Sequence, residues 1–417
     1  MFTLALTLYA ASSLAGGLAT SAGVIIAARA VQGIGGALLL PTTLSVINTL
    51  FEEGPRRNRA LAVWGGAGAS GLTLGALLGG VLTERFGWPA VFYVNVPLAG
   101  AVALAALYVI PRDPARGERR RFDLPGALSV TAASTLLVFG LVEGPELGWG
   151  DPLVVGAIAA ATVLLGAFAV IEARSADPLM PFRLFRNRHL TVGMTVTFVY
   201  MATFGVLPYF LTVLLQSVHG YSALRTGLAF LVPSLAIAAG TQLGERLATR
   251  LGTRATLLTG FATGAVGTAV LALGFDDGAG YALLVPGLVV SGVGQGVVWT
   301  AMWIAAATGT PAHEQGVANG IASTALNIGN AIGLAALTVV ADLGTDGKAG
   351  AALRAATADG EALVVLLTAA GMGIGLLVTL ALPRSGAART VRTEPTEPTE
   401  PADPAADLVN APGRSGS

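Results

Sequence analysis

Few residues in this chain are equipped for chemistry, and almost all of them are set in apolar sequence. Arg29 is the clearest case, a single charge inside an apolar run from about residue 22 to 51. About seven residues into that run, at 1.5 Å per residue, it lies roughly 10 Å below the run's outer end. An arginine in a bilayer costs about 2.5–3.5 kcal/mol on insertion scales. It therefore either snorkels to the headgroups on its long stem or faces a cavity, where it would sense protonation of a nearby carboxylate. No acidic residue falls in the middle of any apolar run, so the chain offers no candidate for that carboxylate.

Uncharged polar and aromatic residues also lie within the apolar runs: Gln32, Asn95, Tyr200, Tyr209, Gln216, Trp299, Trp303 and Asn327. Aromatic faces with few hydrogen-bonding groups suit an amphiphilic organic cation or a neutral drug, and hydrogen bonding between helices is the alternative use. The stretch Gly244-Glu245-Arg246-Leu247-Ala248-Thr249-Arg250-Leu251-Gly252-Thr253-Arg254 combines turn-forming glycine with Glu and Arg that cap helix ends and pair across a loop. It reads as a plain basic loop or as a latch between neighbouring helices. Gly71, Gly75 and Gly79, spaced four apart and followed by Gly80, form a helix face without side chains on which helices pack statically or slide. Enzyme chemistry is not written in the chain. It has no phosphate-binding loop and no cysteine, and its three histidines (His189, His219, His313) lack metal-ligand spacing. No catalytic residue, metal site or cofactor is expected.

The elements that must position these residues are helices. The 417 residues are 53% hydrophobic and only 12% charged, about half the charge of a soluble domain. Apolar runs long enough to cross a bilayer recur throughout, so the class is a polytopic all-α membrane protein with the lipid bilayer as a partner. Twelve spans are expected, near 2–20, 22–51, 60–83, 88–110, 125–142, 152–172, 190–216, 223–245, 255–274, 281–308, 315–341 and 362–382. The net charge of +0 argues against a nucleic-acid partner. With Met1 inside, nineteen of the 24 basic residues fall on the cytoplasmic side and four (Arg85, Arg225, Lys348, Arg354) outside, Arg29 being left within a span. Both termini are then cytoplasmic and the location is the plasma membrane. The first span lacks the basic flank of a signal peptide.

An internal repeat organises the spans. Gly33 and Gly35 map onto Gly292 and Gly294, and Gly71 and Gly75 onto Gly329 and Gly333, at an offset of about 258–259 positions. That is the pattern of a duplicated transporter half. Spans one to four land on spans nine to twelve, spans five and six have no counterpart, and spans seven and eight would pair with positions before Met1. The arithmetic describes a fourteen-span design entered at its third span. The expected domains are an N-terminal bundle (1–110, four of six helices), two linker helices (111–189), a C-terminal six-helix bundle (190–383) and a low-complexity, disordered cytoplasmic tail (384–417).

Taken together, these residues resemble the major facilitator superfamily, in its fourteen-span drug:proton antiporter branch of the EmrB/QacA type. Arg29-Ala30-Val31-Gln32-Gly33-Ile34-Gly35 is similar to the family's fourth-span motif, whose Arg is implicated in proton transfer. The segment from Gly71 to Gly80 is similar to the antiporter motif of the fifth span, with Ala76 where the family usually has Pro. Gly244 to Arg254 resembles the second-half copy of the gating loop. Tyr93-Val94-Asn95-Val96-Pro97 and Gly220-Tyr221-Ser222-Ala223-Leu224-Arg225-Thr226-Gly227 match in type and order. The resemblance implies two bundles around a central cavity, monomeric, with Arg29 in proton coupling. It implies export of hydrophobic or amphiphilic small molecules against inward proton movement, with no cofactor beyond the gradient. The family's first gating loop and first-span carboxylate are not in the sequence, so an N-terminally shortened form is expected. A truncated, non-transporting membrane protein is the alternative, and Ala76 leaves a proton-linked importer as a second one.

Overall fold

The computed structural model describes residues 2–109, 123–175, 178–311, 314–345 and 347–383. The tail 384–417 and the basic segment holding Arg112, Arg116 and Arg119–Arg121 lie outside the described residues, as does His313. The described chain is helical. In order it forms α1 (Phe2–Gly17), α2 (Ala22–Leu50), α3 (Pro55–Phe86), α4 (Pro89–Tyr93), α5 (Asn95–Val109), α6 (Leu124–Leu147) and α7 (Pro152–Arg174). These are followed by α8 (Arg188–Thr203), α9 (Leu207–Val213), α10 (Ala223–Ala229), α11 (Leu231–Leu251), α12 (Thr253–Ala272), α13 (Tyr281–Ala307), α14 (Gln315–Ala341) and α15 (Gly350–Leu380).

The boundaries follow local chemistry. Asp123, Asp151, Asn187 and Ser222 accept hydrogen bonds from the first-turn amides of α6, α7, α8 and α10. Proline begins α3, α4 and α7, where its missing N–H is not needed. Gly252 joins α11 to α12 with φ of 81°, a left-handed turn that a side chain would strain. One span is jointed. Pro208 cannot donate to the carbonyl one turn back, and the chain tightens into a 3-10 turn at Phe204–Val206 before α9 and ends in a π turn at Leu214–Val218.

Among the described residues, ten segments are long and apolar enough to cross a membrane, α4–α5 and the jointed Arg188–Val218 each counting as one. The twelve expected helices are these ten and two more. The two others are α1, apolar but only 16 residues long, and α3, whose 32 residues carry a basic first turn and many small residues. All twelve expected spans are nonetheless helical.

Helices α8 and α11–α15 enclose a core of Phe204, Phe261, Leu257, Met302 and Trp303. Here α13 packs against both α11 and α12, and bare backbone makes this possible. A Cβ on Gly294 would sit 2.4 Å from the Gly264 nitrogen, and one on Gly296 2.1 Å from the Ile237 carbonyl oxygen. In the first half α1 packs on α2, α4 and α5. The halves meet where α2 touches α14 and where α3 lies along α11 and α13. Helices α6 and α7 pair, and α6 rests on α14.

Candidate functional site

A cavity of about 700 Å³ lies where the halves meet. Leu39, Leu40 and Thr43 of α2 and Trp64, Gly65 and Gly68 of α3 form one wall. Tyr200 and Met201 of α8, Pro208 of α9, Ile237 of α11, and Gln295 and Trp299 of α13 form the other. None of these lining residues is charged. The volume is that of a drug-sized site, and the lining is apolar with a few polar groups that can orient a guest.

Three indoles close the cavity toward the end that carries the arginine-rich loops. Trp64 stacks on Trp299 with ring centres 5.7 Å apart and planes at 11°, and Trp303 meets both edge-on at 5.8 and 5.9 Å. Tyr200 adds a fourth ring 5.5 Å from Trp299. Each such pair contributes about 0.5–1.5 kcal/mol beyond area burial. Gly65 makes the stack possible, because a Cβ there would lie 2.6 Å from the Trp299 ring. The Nε1 atoms of Trp299 and Trp303 are buried without an acceptor.

Below the indoles, Leu44 and Leu61 are sealed from solvent. Next comes a layer of amides that crosses between halves: Asn48 donates to Asn319 at 3.5 Å and Asn58 to Thr249 at 3.3 Å. The outermost layer is charged and grips the α13–α14 loop from two sides. From the first half, Glu53 accepts from the Gly309 amide at 3.0 Å and pairs with Arg57 at 3.3 Å. From the segment before α8, Arg183 forks onto the buried carboxylate of Glu314, and Asn187 donates to the Thr308 carbonyl at 3.1 Å. Rings, leucines, amides and ions thus stack in that order from cavity to surface.

Of the eight polar and aromatic residues singled out in sequence, Tyr200 and Trp299 line the cavity and Trp303 supports its floor. The others are elsewhere. Asn95 bonds back to the Val91 carbonyl at 3.1 Å, and Asn327 to that of Ser323 at 2.8 Å. Tyr209 packs edge-on against Phe210, and Gln216 is exposed on the π turn. Gln32 is buried in a separate polar cluster: Arg29 donates to it at 3.0 Å, and it donates to Ser13 of α1 at 2.6 Å. The Arg29 guanidinium also lies 4.6 Å over the Phe92 ring. Its partners are therefore a glutamine and an aromatic face, and among the described residues no carboxylate pairs with it.

The stretch Gly244 to Arg254, expected as a loop, is helical except at Gly252: α11 runs on through Leu251 and α12 starts at Thr253, because one left-handed glycine suffices for the turn. Gly244, within α11, packs on the Val297 backbone, 3.0 Å from where a Cβ would be. Glu245, Arg246, Arg250 and Arg254 form no ion pair among the described residues. The end of α11 reaches the first half through Thr249 instead. Gly71, Gly75 and Gly79 face open space, and Gly80 approaches Leu224 of α10. Sequence reasoning missed Trp64, Gln295, Glu53, Arg183 and Glu314. A tryptophan pair four apart, Trp299 and Trp303, was the available hint that one helix face is aromatic, but nothing local pointed to Trp64 as its partner. Among the described residues no group of three or more acidic or histidine side chains is placed to hold a metal ion.

A two-half helical membrane protein with a cavity at the seam is what these observations define. The family model of the Major Facilitator Superfamily matches residues 1–334, and the chain belongs to that family. It is 34% identical, over 81% of its length, to multidrug resistance protein Stp of Mycobacterium tuberculosis. It is 38% identical, over 82% of its length, to the cephamycin export protein CmcT of Amycolatopsis lactamdurans. The chain spans 62% of the first of these relatives and 71% of the second. Among solved structures it resembles the human organic anion transporter MFSD10, with a TM-score of 0.63 at 18% identity, covering 91% of this chain and 76% of that one. At that identity the likeness concerns the fold.

Proposed function

We propose that the chain forms the transport core of a proton-driven exporter of hydrophobic or amphiphilic small molecules, of the fourteen-span antiporter type. The substrate occupies the cavity at the seam, against Tyr200, Trp64 and Trp299. The observation that carries this reading is the uncharged aromatic cavity closed at one end by layers contributed from both halves. Such a closure opens only if the halves move relative to each other, which is the requirement for alternating access. With the arginine-rich end in the cytoplasm, the structure corresponds to a cavity shut toward the cytoplasm. Relatives of this chain named as multidrug resistance and antibiotic export proteins support the outward direction. Arg29, tied to α1 through Gln32 and Ser13, sets the position of α2 during proton coupling.

Efflux of a fluorescent lipophilic dye from energised cells tests the reading. Expression of the chain should lower dye retention, collapse of the proton gradient should restore it, and Trp299→Ala should remove the effect while membrane insertion persists. Dye accumulation in place of efflux would favour an importer, and no change in dye handling would favour a non-transporting protein.

A further inference from the structure

Glu361 is 2% exposed as a residue, and its Oε2 is sealed from solvent without a hydrogen-bond partner. It is the twelfth residue of α15, about 16 Å along a helix that is itself longer than the ~30 Å apolar core of a bilayer. Its surroundings are specific. At the preceding Gly360 a Cβ would lie 2.2 Å from the Ala341 carbonyl oxygen, so α15 rests directly on the end of α14. One turn further on, Val364 packs with Ala341 and with Val206 and Phe210. Those last two flank Pro208, which lines the cavity. Glu361 thus sits behind the joint of the bent span, at the end opposite the arginine-rich loops.

The charged and titratable groups nearby do not neutralise it. Helix α14 brings Asp342, a like charge close enough to interact with Glu361. Helix α9 brings Tyr209, and just beyond the π turn His219 is bonded to the Asp276 carbonyl at 2.9 Å. The only charges of α8 and α12, Arg188 and Arg254, are at the far, arginine-rich end. On α15 itself Arg354 and Asp359 point to the exposed side. Among the described residues no cation pairs with Glu361.

We propose that Glu361 is a proton-binding residue of the transport cycle. The carboxylate takes a proton from hydronium at the outer end, becoming a carboxylic acid and leaving water, and returns it when the joint at Phe204–Pro208 rearranges. A neutral acid packs against Val206, Phe210 and Ala341 at little cost, whereas an unpaired carboxylate in that place drives the contact apart toward water. Loading of the proton and packing of the bent span on α14 and α15 therefore occur together.

This rests on the proton-driven reading above, and the test separates the two. Wild-type, Glu361→Gln and Glu361→Asp proteins are reconstituted in liposomes, with dye transport driven by a pH gradient and dye exchange measured without one. Glu361→Gln should lose gradient-driven transport by about tenfold or more while keeping exchange, and Glu361→Asp should recover part of the loss. Difference infrared spectra across a pH titration should show a carboxyl C=O band that Glu361→Gln removes. Wild-type gradient-driven rates in Glu361→Gln, or equal loss of exchange and driven transport in a folded mutant, would overturn the proposal. If the wild type ignores the gradient, the proton-driven reading fails, and the infrared band still decides whether Glu361 binds a proton.

Discussion

Helices α3 and α14 carry the same glycine spacing and meet different surroundings. On α14, a Cβ at Gly329 would lie 2.3 Å from the Phe198 carbonyl oxygen, and one at Gly333 2.5 Å from the Ala202 Cα. On α3, nothing lies within 4 Å of a Cβ built at Gly71, Gly75 or Gly79. The preceding helices repeat the contrast in part. Gly292, Gly294 and Gly296 of α13 are all pressed against neighbouring helices. On α2, Gly33 and Gly36 face open space and only Gly35 is packed, with a Cβ there 3.1 Å from the Ala5 carbonyl oxygen of α1. A row of glycines confers the capacity for close approach, and only the facing helix decides whether it is used. In the second half it brings α14 into direct backbone contact with α8. In the first half the same row leaves α3 free to be held by its other face, on α11 and α13, where the indole stack forms.

The contrast can be broken or sharpened by substitution. Gly333→Val should have the largest effect, destabilising the solubilised protein by about 1–3 kcal/mol or more through backbone overlap with α8. Thermal unfolding followed by size-exclusion chromatography would show it, and an unchanged melting temperature would refute the packing. Trp64→Ala and Trp299→Ala together should be less damaging than the sum of the two singles. A coupling of about 0.5–1.5 kcal/mol in a double-mutant cycle measures the contact that crosses the seam. Glu53→Gln should weaken the charged layer by up to about 1 kcal/mol, because Glu53 is half exposed. Since the chain has no cysteine, a Thr43→Cys reporter in the cavity should then label faster from the arginine-rich side. Gly75→Ala should be smallest and opposite in sign, leaving the melting temperature equal or higher because alanine favours the helix by up to about 1 kcal/mol. A large loss there would mean that the α3 face is packed after all.

Helices were legible in the sequence because apolar length alone defines them; Ala22–Leu50 and Tyr281–Ala307 fall within a residue of their expected limits. Ends were less so. Helix α15 starts at Gly350, twelve residues before the expected 362, since a helix continues through polar turns after its apolar run stops. That shift is why Glu361 escaped notice as a residue within a span. Facing was the least legible feature. Asn327 and Gln216 are as polar as Gln295, yet only Gln295 reaches the cavity, and in helices apolar on every side no stripe reveals which way a residue points. Pairs such as Trp64 with Trp299 or Glu53 with Gly309 join residues more than 200 positions apart, and no local pattern encodes them.

The two indole nitrogens at the cavity floor have a consequence for motion. A buried N–H without an acceptor forfeits about 1–3 kcal/mol. Trp299 and Trp303 each carry one, so the ring contacts that shut the floor are partly cancelled where they are made. The floor therefore holds less firmly than its ring contacts alone would make it.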